Sequence, residues 1–266
     1  MAANLLALLD DVAATLDDVA TMTKISLKKT SALMSDDLAV NAGVVHGVQP
    51  SRELPIVGKI FAGSLINKLI AIAIVIGINA FYPPLLNWIL ILGGFYLAYE
   101  GVHKIVEKYF SKDKVIKEKV IVSENQKVFG AIKTDLILSI EIIVIANSYI
   151  NAELLERLLS LSSVGILASI IIYGLVGLIV KIDDFGIYLI EKDKKSLGLM
   201  FVNSMPWIMK SLGVVGTIAM LMVAGGIFSH ALHANFIPFK FLQDIILGLF
   251  GGLLAMLPVS LGKKFL

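Results

Sequence analysis

Six apolar stretches separated by polar ones set the frame of this chain, at roughly 65–82, 85–106, 132–150, 161–181, 205–228 and 239–262. A hydrocarbon core of about 30 Å takes about 20 mostly apolar helical residues, so each stretch predicts one membrane-crossing helix. The connections sort them into three hairpins. Pro83 and Pro84 break the first pair, Asn151 to Arg157 the second and His233 to Pro238 the third, while longer polar segments stand between pairs.

The first sixty residues mix polar and apolar positions differently. Leu9-Asp10-Asp11-Val12-Ala13 is echoed seven residues later by Leu16-Asp17-Asp18-Val19-Ala20, and helical spacing brings Asp10 with Asp17 and Asp11 with Asp18 to a common side. Lys24, Lys28 and Lys29 follow, where they suit the negative end of the helix dipole. The pattern predicts an all-α polytopic protein in two regions. Residues 1–60 form an amphipathic helical region against the cytoplasmic side, and residues 61–266 the transmembrane bundle.

Composition agrees with a lipid solvent: 57% of residues are hydrophobic, 17% are charged and the mean hydropathy is +0.86, against about 25% charged in soluble domains. A net charge of +2 and lysines confined to connections do not make a nucleic-acid surface. With no cysteine, disulfides, thiolate metal sites and cysteine nucleophiles are excluded. Asp10 and Asp11 interrupt the amino-terminal apolar run and no basic segment precedes it, so no cleavable signal is predicted. Lysines crowd the 103–133 connection, the 181–210 connection and the tail at Lys263 and Lys264, which by the positive-inside rule makes these segments and both termini cytoplasmic.

Glu141 carries the chemistry, because a carboxylate at bilayer depth costs roughly 2.5–3.5 kcal/mol and faces a bundle interior or a wet path. Ser139 and Asn147 share its helix, with Asp135 and Lys133 toward the cytoplasmic end. A proton or cation site and a structural carboxyl bonded to a neighbouring helix both fit. Glu100 repeats the pattern nearer an interface, one turn from Tyr96 and His103. Asn67 and Lys68 open the first stretch. Lys68 either pairs with Asp135 or Glu141 or snorkels to the headgroups, the second reading being preferred.

Gly63 to Ile70 and Gly130 to Ile137 align with a glycine and Leu-Ile in register, and Lys210 supplies a third equivalent, which suggests parallel repeats. Asp183 and Asp184 could join Asp10, Asp11, Asp17 and Asp18 in an acidic cluster suited to a hard cation. His230 and His233 alone make an incomplete metal site. No HExxH, GxSxG, Walker or GxGxxG signature is present, so neither an enzyme nor a cofactor is predicted.

The runs LLALLDDVAATLDDVA, KKTSALMSDDLAVNA, GSLINK, GAIKTDLILSIEIIVIA, YGLVGLIVKIDDFG and PWIMKSLGVVGTIAMLMVAGGI resemble the YedI-type family of bacterial inner-membrane proteins, a domain of unknown function. The resemblance implies an inner-membrane location and an amino-terminal region that belongs with the membrane core. It assigns no catalytic residue and no ligand. Two functions lead, ahead of an enzyme acting on lipid, which rests only on the aspartates and the basic connections near anionic headgroups. One is a transporter or channel for a proton, cation or small solute past Glu141. The other is a non-transporting scaffold, as a homo-oligomer or docking a partner through its acidic amino terminus. Membrane lipids are the common partner.

Overall fold

The computed structural model describes residues 2–45, 48–110, 123–232 and 237–265. Among them the chain forms α1 (Ala2–Val45), α2 (Pro50–Phe81), α3 (Pro84–Phe110), α4 (Glu124–Ser148), α5 (Leu154–Glu191), α6 (Lys195–Ala231) and α7 (Lys240–Phe265). Local chemistry sets several of the ends. Pro50 occupies the first turn of α2, where a missing N–H costs nothing. Ser123 and Gln126 close a reciprocal capping box on α4. The turn after α5 is tighter than the 181–210 connection predicted, because α5 continues to Glu191 and α6 starts at Lys195. Asp193 makes the reversal at φ 59°, a left-handed conformation that aspartate tolerates. Pro206 lies within α6, which remains one helix.

Five described helices are long and apolar enough to cross a membrane: Ser51–Phe81, Pro84–Glu107, Leu154–Glu191, Lys195–Ala231 and Lys240–Leu257. Leu69, Leu92, Leu178 and Phe250, each more than 60% exposed, point outward from them as lipid-facing residues do. The sixth predicted stretch behaves differently. Lys133, Asp135 and Glu141 leave α4 too charged for such a span, and α1, α2 and α5 wrap it instead, burying Leu138, Ile142, Ile143 and Ala146. Protein, not lipid, is the solvent for its carboxylates.

Helix directions follow from the contacts. Ser26 of α1 donates to the Ala146 carbonyl near the end of α4, while Val44 lines a cleft with Gln126 and Lys127 near its start, so α1 and α4 are antiparallel. On α2, Lys59 meets Glu124 and Lys68 meets Ser139, so α2 runs parallel to α4. Antiparallel seams also join α2 to α5, α3 to α6 and α6 to α7. The first and last described helical ends therefore lie at opposite ends of the bundle. Residues 26–45 of α1 are packed into the core rather than laid against it, and the expected boundary at residue 60 falls inside α2.

Glycine permits the closest approach, between α6 and α7. A Cβ on Gly225 would strike the Asp244 backbone, and one on Gly248 the Leu221 backbone, so both positions need the bare backbone. Gly213 has open space around it. Gly248→Val should therefore lower the thermal midpoint measured in detergent, by an overpacking cost of about 1–3 kcal/mol, while Gly213→Val should leave it unchanged.

Candidate functional site

Asp135 is the centre of a buried polar network contributed by α2, α4 and α5. Its Oδ1 accepts from Ser64 Oγ at 2.8 Å and Tyr173 OH at 3.0 Å; its Oδ2 accepts from Asn67 Nδ2 at 2.8 Å and Ser139 Oγ at 3.2 Å. Those four donors fill the four lone-pair positions of an ionised carboxylate. The Lys68 ammonium stands 3.6 Å from Oδ1, with both side chains almost wholly buried, at 2% and 0% exposure. Snorkelling is thus overturned for Lys68: its ammonium points inward and pairs with Asp135.

Two serines bridge the pair. Lys68 Nζ donates to Ser64 Oγ at 2.8 Å and to Ser139 Oγ at 3.2 Å, and each hydroxyl donates onward to Asp135. Such a bridge can relay a proton. As the ammonium gives one to Ser64 Oγ, that hydroxyl gives its own to Oδ1, leaving a neutral amine and a carboxylic acid. Asn67 is tied further to the Ile132 carbonyl at 2.8 Å, and Tyr173 is held edge-on by Phe61 at 5.9 Å between ring centroids.

Asp37 of α1 faces this network and acts electrostatically on Asp135 and Lys68. Asn41, one turn on, donates to its Oδ1 at 2.5 Å, but its buried Oδ2 has no protein partner. Lys68 thus answers two carboxyls. Asp36, next in sequence, points to another helix pair: its Oδ1 takes Lys104 Nζ at 2.9 Å, and Lys104 also reaches Glu100 at 3.2 Å. Glu141 lies within the field of Glu100 and Asp36, is 9% exposed, and has an Oε2 without a protein partner. Here one lysine answers two carboxyls, Asp36 and Glu100, and Glu141 stands in their field without a lysine of its own among the described contacts.

The remaining predicted residues scatter. Lys133 and Lys210 are exposed, and Lys210 lies 5.4 Å over the Trp207 ring, away from the buried network. Asn147 is buried and accepts from Arg157 Nη1 at 2.9 Å. Asp10, Asp11, Asp17 and Asp18 are exposed at the free end of α1, opposite the end where Asp184 pairs with Lys181, so the proposed acidic cluster does not assemble. The Asp183 side chain and His233 lie outside the described residues; His230 is exposed. Among the described residues no group of three or more His, Cys, Asp or Glu is placed to hold a metal ion.

Sequence reasoning missed Asp36, Asp37, Asn41, Ser64, Tyr173 and Lys104. A signal was present for the first three: within SDDLAVNA the aspartates and Asn41 recur at helical spacing between apolar residues.

Outside the core, Lys59 and Arg52 bond Glu124 and hold its carboxyl below the ordinary range, fastening the start of α4 to α2. Clefts flank the network at both ends of α4. One of ≈ 320 Å³ is lined by Val44, Gln126, Ala131 and Thr134, and one of ≈ 380 Å³ by Asn79, Asn87, Asn147 and Arg157.

Apolar helices of membrane-crossing length around a buried charge network define an all-α polytopic helical protein of the membrane type. The family described as protein of unknown function, DUF808, matches residues 3–255, and the chain belongs to that family, in keeping with the YedI-type resemblance. No curated protein and no solved structure matches the chain.

Removing one member of a buried ion pair strands the other, at about 3–5 kcal/mol. Lys68→Met and Asp135→Asn should each destabilise the protein strongly, and the double variant should lose less than their sum. A thermal-unfolding cycle in detergent checks this; additive losses would show that the two side chains are not coupled.

Proposed function

We propose that this protein moves protons across a bacterial inner membrane, alone or coupled to a small solute, with Asp37 carrying the proton and the Lys68–Asp135 pair tuning it. One observation carries the reading: Asp37 is buried beside a carboxylate whose hydrogen-bond positions are already filled, yet keeps an unpartnered oxygen. A buried ionised carboxylate without full pairing is costly, so taking up a proton relieves Asp37 and releasing one recreates the cost. Such a group suits a carrier of protons. Its position between the two clefts supports access from either side.

The end of α3, the start of α4 and the turn after α5 lie at one end of the bundle, and the lysines of the 103–133 sequence favour that end as the cytoplasmic one by the positive-inside rule. No enzymatic role is proposed. The scaffold reading draws support from one feature, the saturated bonding of Asp135, which a purely structural pair would also show.

Proton flux into liposomes separates the two. Asp37→Asn, inserted as well as the native chain, should lower flux at least tenfold, and Glu141→Gln should lower it less. Native-like flux from folded Asp37→Asn would remove Asp37 as the carrier; no flux from the native protein under any pH gradient would favour the scaffold.

A further inference from the structure

Most of α1 that enters the bundle presents one polar line to its neighbours. Thr23, Ser26, Thr30, Asp37 and Asn41 are 5%, 0%, 0%, 0% and 2% exposed. At 100° per residue they fall on one stripe, with Leu33 and Met34 bordering the interval between Thr30 and Asp37. The stripe is about 27 Å long at 1.5 Å per residue, close to the roughly 30 Å of a hydrocarbon core. One end, at Thr23, lies beyond the level of Ala146, where α4 finishes. The other, at Asn41, adjoins the cleft lined by Val40, Gly43 and Val44.

Bonding within α1 and one bond to α4 account for part of this line. Thr30 Oγ1 donates to the Ser26 carbonyl at 2.9 Å, and Ser26 Oγ to the Ala146 carbonyl at 3.3 Å. These bonds do not account for Thr23 Oγ1, Asp37 Oδ2 and Asn41 Oδ1, buried atoms without a protein partner that occur at intervals along the same stripe. Orphaned polar atoms inside a bundle take ordered water, which bonds two to four polar groups.

We infer that this stripe of α1 is a hydrated route that carries protons from the Thr23 end past Asp37 to the cleft at Asn41. The inference rests on the proton-transport reading and adds its path. Hydroxyls at Thr23, Ser26 and Thr30 can each turn toward a file of waters, accept one proton as they release another, and then rotate back to their starting orientation, which for Ser26 and Thr30 is toward a backbone carbonyl. Asp37 is the one ionisable group on the line. The seven-residue step from Thr30 to Asp37, about 10 Å at helical rise, is the part that water alone must bridge.

Two measurements on the full chain test it separately. In liposomes, the double variant Ser26→Ala/Thr30→Val leaves every charge in place and should lower proton flux at least tenfold relative to native protein at equal insertion. Radiolytic hydroxyl-radical labelling detects bound water directly, and native protein should be labelled at Met34 and Tyr173 although they are only 8% and 4% exposed. The double variant should lose that labelling. Native protein that carries protons while Met34 and Tyr173 stay unlabelled and the double variant is unimpaired would overturn the route and uphold transport. Labelled native protein that carries no protons would overturn transport, and with it the proton role of the stripe.

Discussion

The buried pairing of Lys68 with Asp135 constrains the rest of this bundle. Two opposite charges removed from water hold together only with near-complete hydrogen bonding, and here Ser64, Asn67, Ser139 and Tyr173 supply it from three helices. That requirement fixes which face of α2 meets α4, and at what register. It also explains why α4 is enclosed: a helix with Asp135 and Glu141 on it cannot face lipid, and α1, α2 and α5 surround it with protein. The more apolar helices take the lipid-facing positions.

Asp36 and Asp37 link this centre to a second one. Adjacent residues on a helix point about 100° apart, so α1 sends Asp37 toward Lys68 and Asp135 and Asp36 toward Lys104 and Glu100. Each centre holds fewer lysines than carboxyls. Protonation of any of these acids therefore changes a balance that the neighbouring helix also feels, which gives α1 the geometry of a connector between the α2–α4 and α3–α6 pairs.

Much of the fold was legible because hairpin turns and apolar runs are strong signals, as with Pro83 and Pro84 or the stretch in α5. What failed did so for definite reasons. Lysine at the start of an apolar run ordinarily reaches the headgroups, and nothing within Asn67-Lys68 reveals that Asp135 waits on a parallel helix. The inner face of α1 was obscured because its buried positions include Thr23, Ser26, Thr30, Asp37 and Asn41, which hydropathy scores as surface. The Asp10 and Asp17 echo drew the reading to the exposed end of the same helix. Glu141 was recognised, but the carboxylate at the centre of the network is Asp135, whose importance comes from partners distant in sequence.

The central claim, that α1 passes through the bundle beside the Lys68–Asp135 pair, is tested most directly by topology. The chain contains no cysteine, so single cysteines at Asp10 and at Lys194 can be probed one at a time with a membrane-impermeant thiol reagent in oriented vesicles. Labelling of the two positions from opposite sides is the predicted result. Labelling of both from the same side would contradict a traversing α1 and remove the basis for a polar route along it.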